Sequence, residues 1–214
     1  MLCETCVTRL AHRQKNLCPR CGMPAPAAAE TEGKCADCRD KKYGFSAVRS
    51  LGLYENDVRL AVLRMKHHAN EHLAMALGQR MAGLLAERPF PEPPELVVPV
   101  PMHWLTRLFR GTSAAETLAR SAAAAISIPS AGDLLRCRRL LKRQATLLGA
   151  ERQLNVKGAY AASRSYNISG ARILLVDDVI TTGATCDSAA RVLLSAGAAA
   201  VYAVSVARGT GMRN

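Results

Sequence analysis

Aromatic side chains are scarce in this sequence, with one Trp, three Phe and five Tyr in 214 residues, or 4%. A surface that recognises single-stranded bases by stacking needs several such rings in reach of one another. Sequence-specific reading of bases is therefore disfavoured, whereas contact with a phosphate backbone is not. Long apolar runs are missing too. No window reaches the roughly 18 to 20 consecutive apolar residues that cross a bilayer. Met1-Leu2-Cys3-Glu4 does not open a basic segment followed by an apolar one, so the expected location is the cytoplasm. Acidic residues are the third deficit. Seventeen Asp and Glu stand against 29 Lys and Arg, a formal charge of +12, which points to an acidic partner, either a polyphosphate or a nucleic acid. The cysteines do not make a disulfide framework, because six of the eight fall into C-x-x-C pairs, a metal spacing in a reducing compartment. Cys137 and Cys186 stand in no nucleophile motif and read as free thiols.

What is present suffices for one α/β domain with a small appendage, given the length and 49% hydrophobic residues. The most informative stretch is Ala171 to Ser188, ARILLVDDVITTGATCDS. Ile173 to Val176 is apolar without alternation, the pattern of a strand buried on both faces of a parallel sheet, and Asp177 and Asp178 are expected to end it. Thr181, Thr182, Gly183, Ala184 and Thr185 follow as a loop of small and hydroxyl-bearing residues that leads into a helix. Free N–H groups at such a helix start bind phosphate, and paired carboxylates accept hydrogen bonds from the vicinal hydroxyls of a ribose and support Mg²⁺. The implied ligand is a ribose phosphate. For an Asp-Asp pair taken alone, a solvated acidic turn is the commoner meaning; the full string VDDVITTGAT argues otherwise.

The N-terminal part carries Cys3-x-x-Cys6, Cys18-Pro-Arg-Cys21-Gly22 and Cys35-x-x-Cys38, separated by eleven and thirteen residues. Two such knuckles complete a tetrahedral structural Zn²⁺ site, and Cys18, Cys21, Cys35 and Cys38 pair as one zinc ribbon. Cys3 and Cys6 are left over. They read as half of a second ribbon whose other half lies outside the chain, as a site completed by a partner, or as unmetallated thiols. The expected division is residues 1–44 for the ribbon and 45–214 for the larger domain.

Along the larger domain, Phe45 to Tyr54 reads as a strand or hairpin. Asn56 is expected to cap a helix with Val58, Ala61, Val62 and Met65 on one face, and a second helix carries Leu73, Leu77, Met81 and Leu85 before the Pro-rich linker from Pro89. His67, His68 and His72 lack acidic companions and read as solvated helix ends. Leu96 to Val100 is another buried strand, followed by Pro101, His103, Arg107 and Arg110. Ser113 and Glu116 then form a capping box for a helix to about Ala125. Leu134 to Ala159 places Arg136, Arg138, Arg139, Lys142, Arg143, Arg152 and Lys157 against the single acid Glu151. Such a run is usually a solvated face, but here it lies between two expected strands, where a cationic flap would close over a polyphosphate.

These motifs, in this order, resemble the ComF family over essentially the whole chain. The matching residues are CPRCG with the later C-x-x-C, the Tyr54 to Lys66 stretch, VPVPMH, Arg110-Gly111, Gln144 to Tyr160, and VDDVITTGAT, which is similar to the signature of type I phosphoribosyltransferases. The resemblance implies a type I phosphoribosyltransferase-like parallel sheet flanked by helices, behind a small N-terminal zinc ribbon. It implies 5-phosphoribosyl 1-pyrophosphate (PRPP) with Mg²⁺ as ligand. Asp177 and Asp178 would sit on the ribose, Thr181 to Thr185 on the 5′-phosphate, and Pro99, Val100, Pro101, His103, Arg107 and Arg110 near pyrophosphate. Two departures stand out: Thr112-Ser113-Ala114-Ala115 replaces the family's F-N-Q-A, and the first C-x-x-C of the usual four is absent. Nothing resembles a glutaminase domain. Three functions follow as expectations: pyrophosphate displacement from PRPP, single-stranded DNA binding that serves DNA uptake or utilisation alongside a helicase or other competence protein, and an adaptor that docks partners through the ribbon.

Overall fold

The computed structural model describes residues 2–11, 16–29, 33–103, 105, 113–141 and 149–210, with the backbone alone at 68, 149, 150, 152 and 153. Four parallel strands form the central sheet: β1 (Ala47–Leu53), β2 (Leu96–Pro99), β5 (Arg172–Ile180) and β6 (Ala200–Arg208), in the order β1-β6-β5-β2. Each central strand is apolar on both sides because each side is covered. On β5, Leu174 and Val176 enter one core while Ile173 and Leu175 enter the other, and on β6 Tyr202, Val204 and Val206 oppose Val201 and Ala203. Strand side chains alternate in direction, so a continuous apolar run here signals two buried faces.

The first face carries α2 (Asn56–Met65), α3 (Glu71–Glu87) and α4 (Ala114–Ala125), which bury Val58, Val62, Leu77, Met81, Leu118 and Ala119. A Cβ at Gly78 would stand 2.6 Å from the Leu118 carbonyl oxygen, so the lack of a side chain there lets α3 and α4 approach closely. The short α1 (Glu4–Leu10) also lies on this side. Its Arg9 makes two 2.8 Å hydrogen bonds to the Asp57 carboxylate, and Leu10 enters the same core. The second face carries α5 (Gly149–Val156), α6 (Ala184–Ser195) and the antiparallel ribbon of β3 (Leu135–Cys137) with β4 (Tyr160–Ala162). The α/β class and parallel sheet agree with the expectation from the apolar runs.

Three details differ from it. β5 does not stop at the acidic pair; it runs on to Ile180 because its pairing with β6 continues through Asp177 with Ser205 and Ile180 with Arg208. Asn56 does not cap α2 but is its first residue, with Glu55 at the cap position. Ser113 is the N-cap residue of α4, but its side chain makes no capping hydrogen bond. Among the described residues, no helix is long and apolar enough to cross a membrane.

Candidate functional site

The ends of two neighbouring strands create the site. β2 pairs with β5 only as far as Pro99 opposite Val176, closed by the Val100 amide on the Val176 carbonyl at 2.8 Å. Beyond that point β5 keeps its β6 neighbour and loses the other, so Asp177 and Asp178 emerge at an opening at the carboxyl ends of the strands, where ligands of open α/β sheets bind. A cleft of about 190 Å³ lies there, walled by Val100, Pro101 and Met102 on one side and by Ser113, Ala114 and Ala115 on another.

Lys66, at the end of α2, closes the cleft. Its Nζ lies 2.7 Å from Asp178 Oδ2. Asp177 is half-buried and accepts the Asp178 amide on Oδ1 at 2.8 Å. Burial, and then the Asp178 charge, hold the Asp177 carboxyl well above the usual range, with Lys66 acting in the opposite direction. Of the two carboxylates, Asp178 is the one paired with a cation. Sequence reading missed Lys66 and Ser113 as cleft residues. The first lies 112 positions from its partner by number, and the second carries a capping signal that masks its place in the wall. The available signals were that Lys66 ends a stretch matched to a family motif and that Ser113 lies in the Thr112 to Ala115 departure from another.

The hydroxyl-rich loop follows β5. Gly183 adopts φ +83° and precedes the first turn of α6, where the Asp187 amide donates to the Gly183 carbonyl at 2.8 Å and the Ala184 amide to Thr182 Oγ1 at 3.3 Å. Thr181 to Thr185 border the acidic edge in sequence without lining the cleft itself. His103 is buried, with Nδ1 accepting the Leu105 amide at 3.3 Å. Arg107, Arg110, Lys142 and Arg143 lie outside the described residues, as does the side chain of Arg152. Arg138 is exposed. Arg139 instead donates to the carbonyls of Leu154, Asn155 and Lys157 at 3.3, 2.7 and 2.9 Å, satisfying the C-terminal end of α5.

The four cysteines converge as the knuckle spacing implies. Cys18, Cys21, Cys35 and Cys38 are all buried, with every sulfur within 4.8 Å of the others. The pairs Cys18–Cys38, Cys21–Cys35 and Cys35–Cys38 are 3.7, 3.6 and 3.8 Å apart. A tetrahedron with Zn–S bonds of about 2.3 Å separates sulfurs by about 3.8 Å, so the donor set fits Zn²⁺. The Cys35 amide points at Cys18 Sγ at 3.3 Å, as a donor to a metal-bound thiolate should. Hydrogen bonding from Cys21 holds the Cys18 thiol below the usual range. Cys3 and Cys6 are exposed at the first turn of α1, apart from this cluster. Cys186 is a buried residue of α6, and Cys137 is half-buried beside Arg139.

The ribbon touches the loop directly. The Tyr43 hydroxyl, pushed up to about 12 by burial and so a donor at neutral pH, reaches the Thr182 carbonyl at 3.2 Å. The Arg208 guanidinium, 4% exposed, donates through Nε to the Cys21 carbonyl at 2.8 Å and through Nη1 to the carbonyls of Ile180 at 2.7 Å, Gly209 at 3.0 Å, and Thr181.

The chain is 28% identical over 204 residues to the DNA utilization protein YhgH of Salmonella typhi, covering 94% of this chain and 87% of that protein. It is 27% identical over 206 residues to the competence protein ComFC of Bacillus subtilis (strain 168), covering 93% and 80%. The solved glutamine PRPP amidotransferase of B. subtilis, complexed with ADP and GMP, is 24% identical with a TM-score of 0.41; the match covers 62% of this chain and 26% of that one. Residues 70–213 match the phosphoribosyl transferase domain. That span is more than half of the sequence, and the chain belongs to the phosphoribosyl transferase domain family.

Proposed function

We propose that this is a cytoplasmic ComF-type protein that binds PRPP with Mg²⁺ and serves DNA uptake or utilisation. One observation carries the ligand reading: an acidic edge, Asp177 and Asp178, lines the cleft that opens where β2 ends, and the Thr181 to Thr185 loop follows it on the same strand end. In this reading the two carboxylates accept the ribose hydroxyls. The loop amides and hydroxyls take the 5′-phosphate. The VPVP segment and Lys66 flank the pyrophosphate, with Lys66 exchanging its bond to Asp178 for one to the ligand. Mg²⁺ suits the oxygen donors of Asp177 and Asp178 and would neutralise pyrophosphate charge. In a transfer, the bond from ribose C1 to the pyrophosphate oxygen breaks, the electron pair leaves on pyrophosphate, and an external nucleophile forms the new bond at C1. The chain's part is to hold the ribose and to place cations against the departing charge.

A second, compatible reading is contact with single-stranded DNA. It is supported by the names of the relatives, by the excess of positive charge, and by the exposure of Arg136, Arg138 and Lys157 around β3 and α5. Calorimetric titration of PRPP with Mg²⁺ against the parent and Asp177→Asn/Asp178→Asn tests the first reading. Equal affinity in a folded double variant refutes it. A screen of nucleophiles that follows pyrophosphate release separates a transferase from a protein that uses PRPP as a signal without turnover.

A further inference from the structure

The ribbon's grip on the loop has more order than docking requires. Three successive carbonyls, those of Ile180, Thr181 and Thr182, accept hydrogen bonds from Arg208 and Tyr43, the Ile180 carbonyl also from the Gly209 amide at 2.9 Å. In a planar trans peptide the C=O and the following N–H point in opposite directions. Fixing these carbonyls therefore also fixes the directions of the N–H groups of Thr181, Thr182 and Gly183. Those amides are the first donors of the loop. Arg208 reaches them only through carbonyls, and its Nε is anchored on Cys21, one of the four clustered cysteines. Tyr43 stacks on Phe45 with ring centroids 4.5 Å apart, and Phe45 Cζ lies 3.2 Å from where a Gly183 Cβ would stand. Asp187 adds a third tie by accepting the Gly44 amide at 2.6 Å.

We infer that Arg208 and Tyr43 are positioning residues for the anion loop, and that through them the ligation state of Cys18, Cys21, Cys35 and Cys38 sets how well the loop holds phosphate. When the four thiolates are drawn onto one ion, the Cys21 carbonyl is held where Arg208 needs it. When they are released, the knuckle relaxes, the guanidinium loses one fixed partner and the three peptides regain freedom to rotate. The inference rests on the ribose phosphate reading for its consequence but not for its mechanism, and the two are tested separately.

The experiment uses the full zinc-loaded chain and Tyr43→Phe, which removes one hydroxyl but keeps the stacked ring, with Arg208→Lys as a second variant that keeps the charge but not the fork. Zinc content is measured first. Hydrogen exchange over residues 180–185 is then compared with β2, and ribose 5-phosphate binding is followed by calorimetry. Tyr43→Phe should retain its zinc, exchange faster over 180–185 with β2 unchanged, and bind ribose 5-phosphate about threefold to tenfold more weakly, the scale of one hydrogen bond. Chelation of the parent's zinc should produce the same local acceleration. Unchanged exchange over 180–185 in Tyr43→Phe, Arg208→Lys and the chelated parent overturns the inference. A parent that fails to bind ribose 5-phosphate but shows the accelerated exchange overturns the ligand reading and leaves the coupling standing.

Discussion

Burial of the Asp177 carboxyl costs stability in a way that depends on pH. In the unfolded chain an Asp loses its proton at about pH 3.9; in the folded protein burial and the neighbouring Asp178 hold the proton to higher pH. Across the interval between those two values the folded state binds more protons, so stability falls as pH rises through it. Asp177→Asn should therefore have a higher melting temperature than the parent at neutral pH, with the difference shrinking on acidification and vanishing below the unfolded value. Scanning calorimetry from pH 3 to pH 8 checks this. The same variant should bind PRPP about tenfold to a hundredfold more weakly, the range of a charge-assisted hydrogen bond. Lys66→Met should behave differently. Its ion pair is partly exposed, 38% at Lys66 and 23% at Asp178, and such pairs contribute at most about 1 kcal/mol, so stability should scarcely change while PRPP affinity drops. A loss of stability as large as the loss of binding would remove Lys66 from the ligand site.

Among the elements, the turn between β5 and α6 is the least tolerant. Gly183→Ala would place a Cβ at a left-handed φ and 3.2 Å from Phe45, costing about 1 to 2 kcal/mol for the backbone alone. Urea unfolding should show that loss, with phosphate binding reduced in parallel. The strands that build this region were legible because both faces are buried, so ILLV at β5 and LVVP at β2 read as apolar runs without alternation. The C-terminal half of β5 was not. Two adjacent carboxylates argue for a strand end, and only the β6 partner, Ser205 to Arg208, shows why pairing continues past them. Arg208 was equally hidden. It sits in sequence between an apolar strand and a polar tail, and its role depends on Cys21, 187 positions away. The CPRCG knuckle was legible because its ligands are fixed by local turn geometry, whereas Cys3-x-x-Cys6 has the same spacing and forms part of a helical turn.

For the molecule as a whole, charge and metal give the broadest tests. Elemental analysis should find one zinc per chain held by the four-cysteine cluster, and Cys18→Ser/Cys35→Ser should lose it. Single-stranded DNA should bind through phosphates with little base preference, since aromatic rings are few and two of them, Phe90 and Tyr202, are stacked in the interior. If Arg136, Arg138 and Lys157 engage three phosphates, the slope of log affinity against log salt contributed by them is about −2. Neutralising all three should remove that much of the slope, and an unchanged slope would locate DNA binding elsewhere. The way the ribbon is attached also shapes how a mutational scan of this chain would look. Arg208 reaches the ribbon at the Cys21 carbonyl, and Arg49 reaches it at the Pro19 carbonyl at 2.9 Å, with its guanidinium 4.9 Å from the Phe90 ring. A carbonyl is supplied by any amino acid, so these two arginine contacts have a keyed side and a blank side, unlike the Tyr43 contact, whose key is on the ribbon. Substitutions at Arg49 and Arg208 should register strongly, while those at Pro19 should pass through this contact almost unseen, and a scan scored position by position would recover only the arginine half of these contacts.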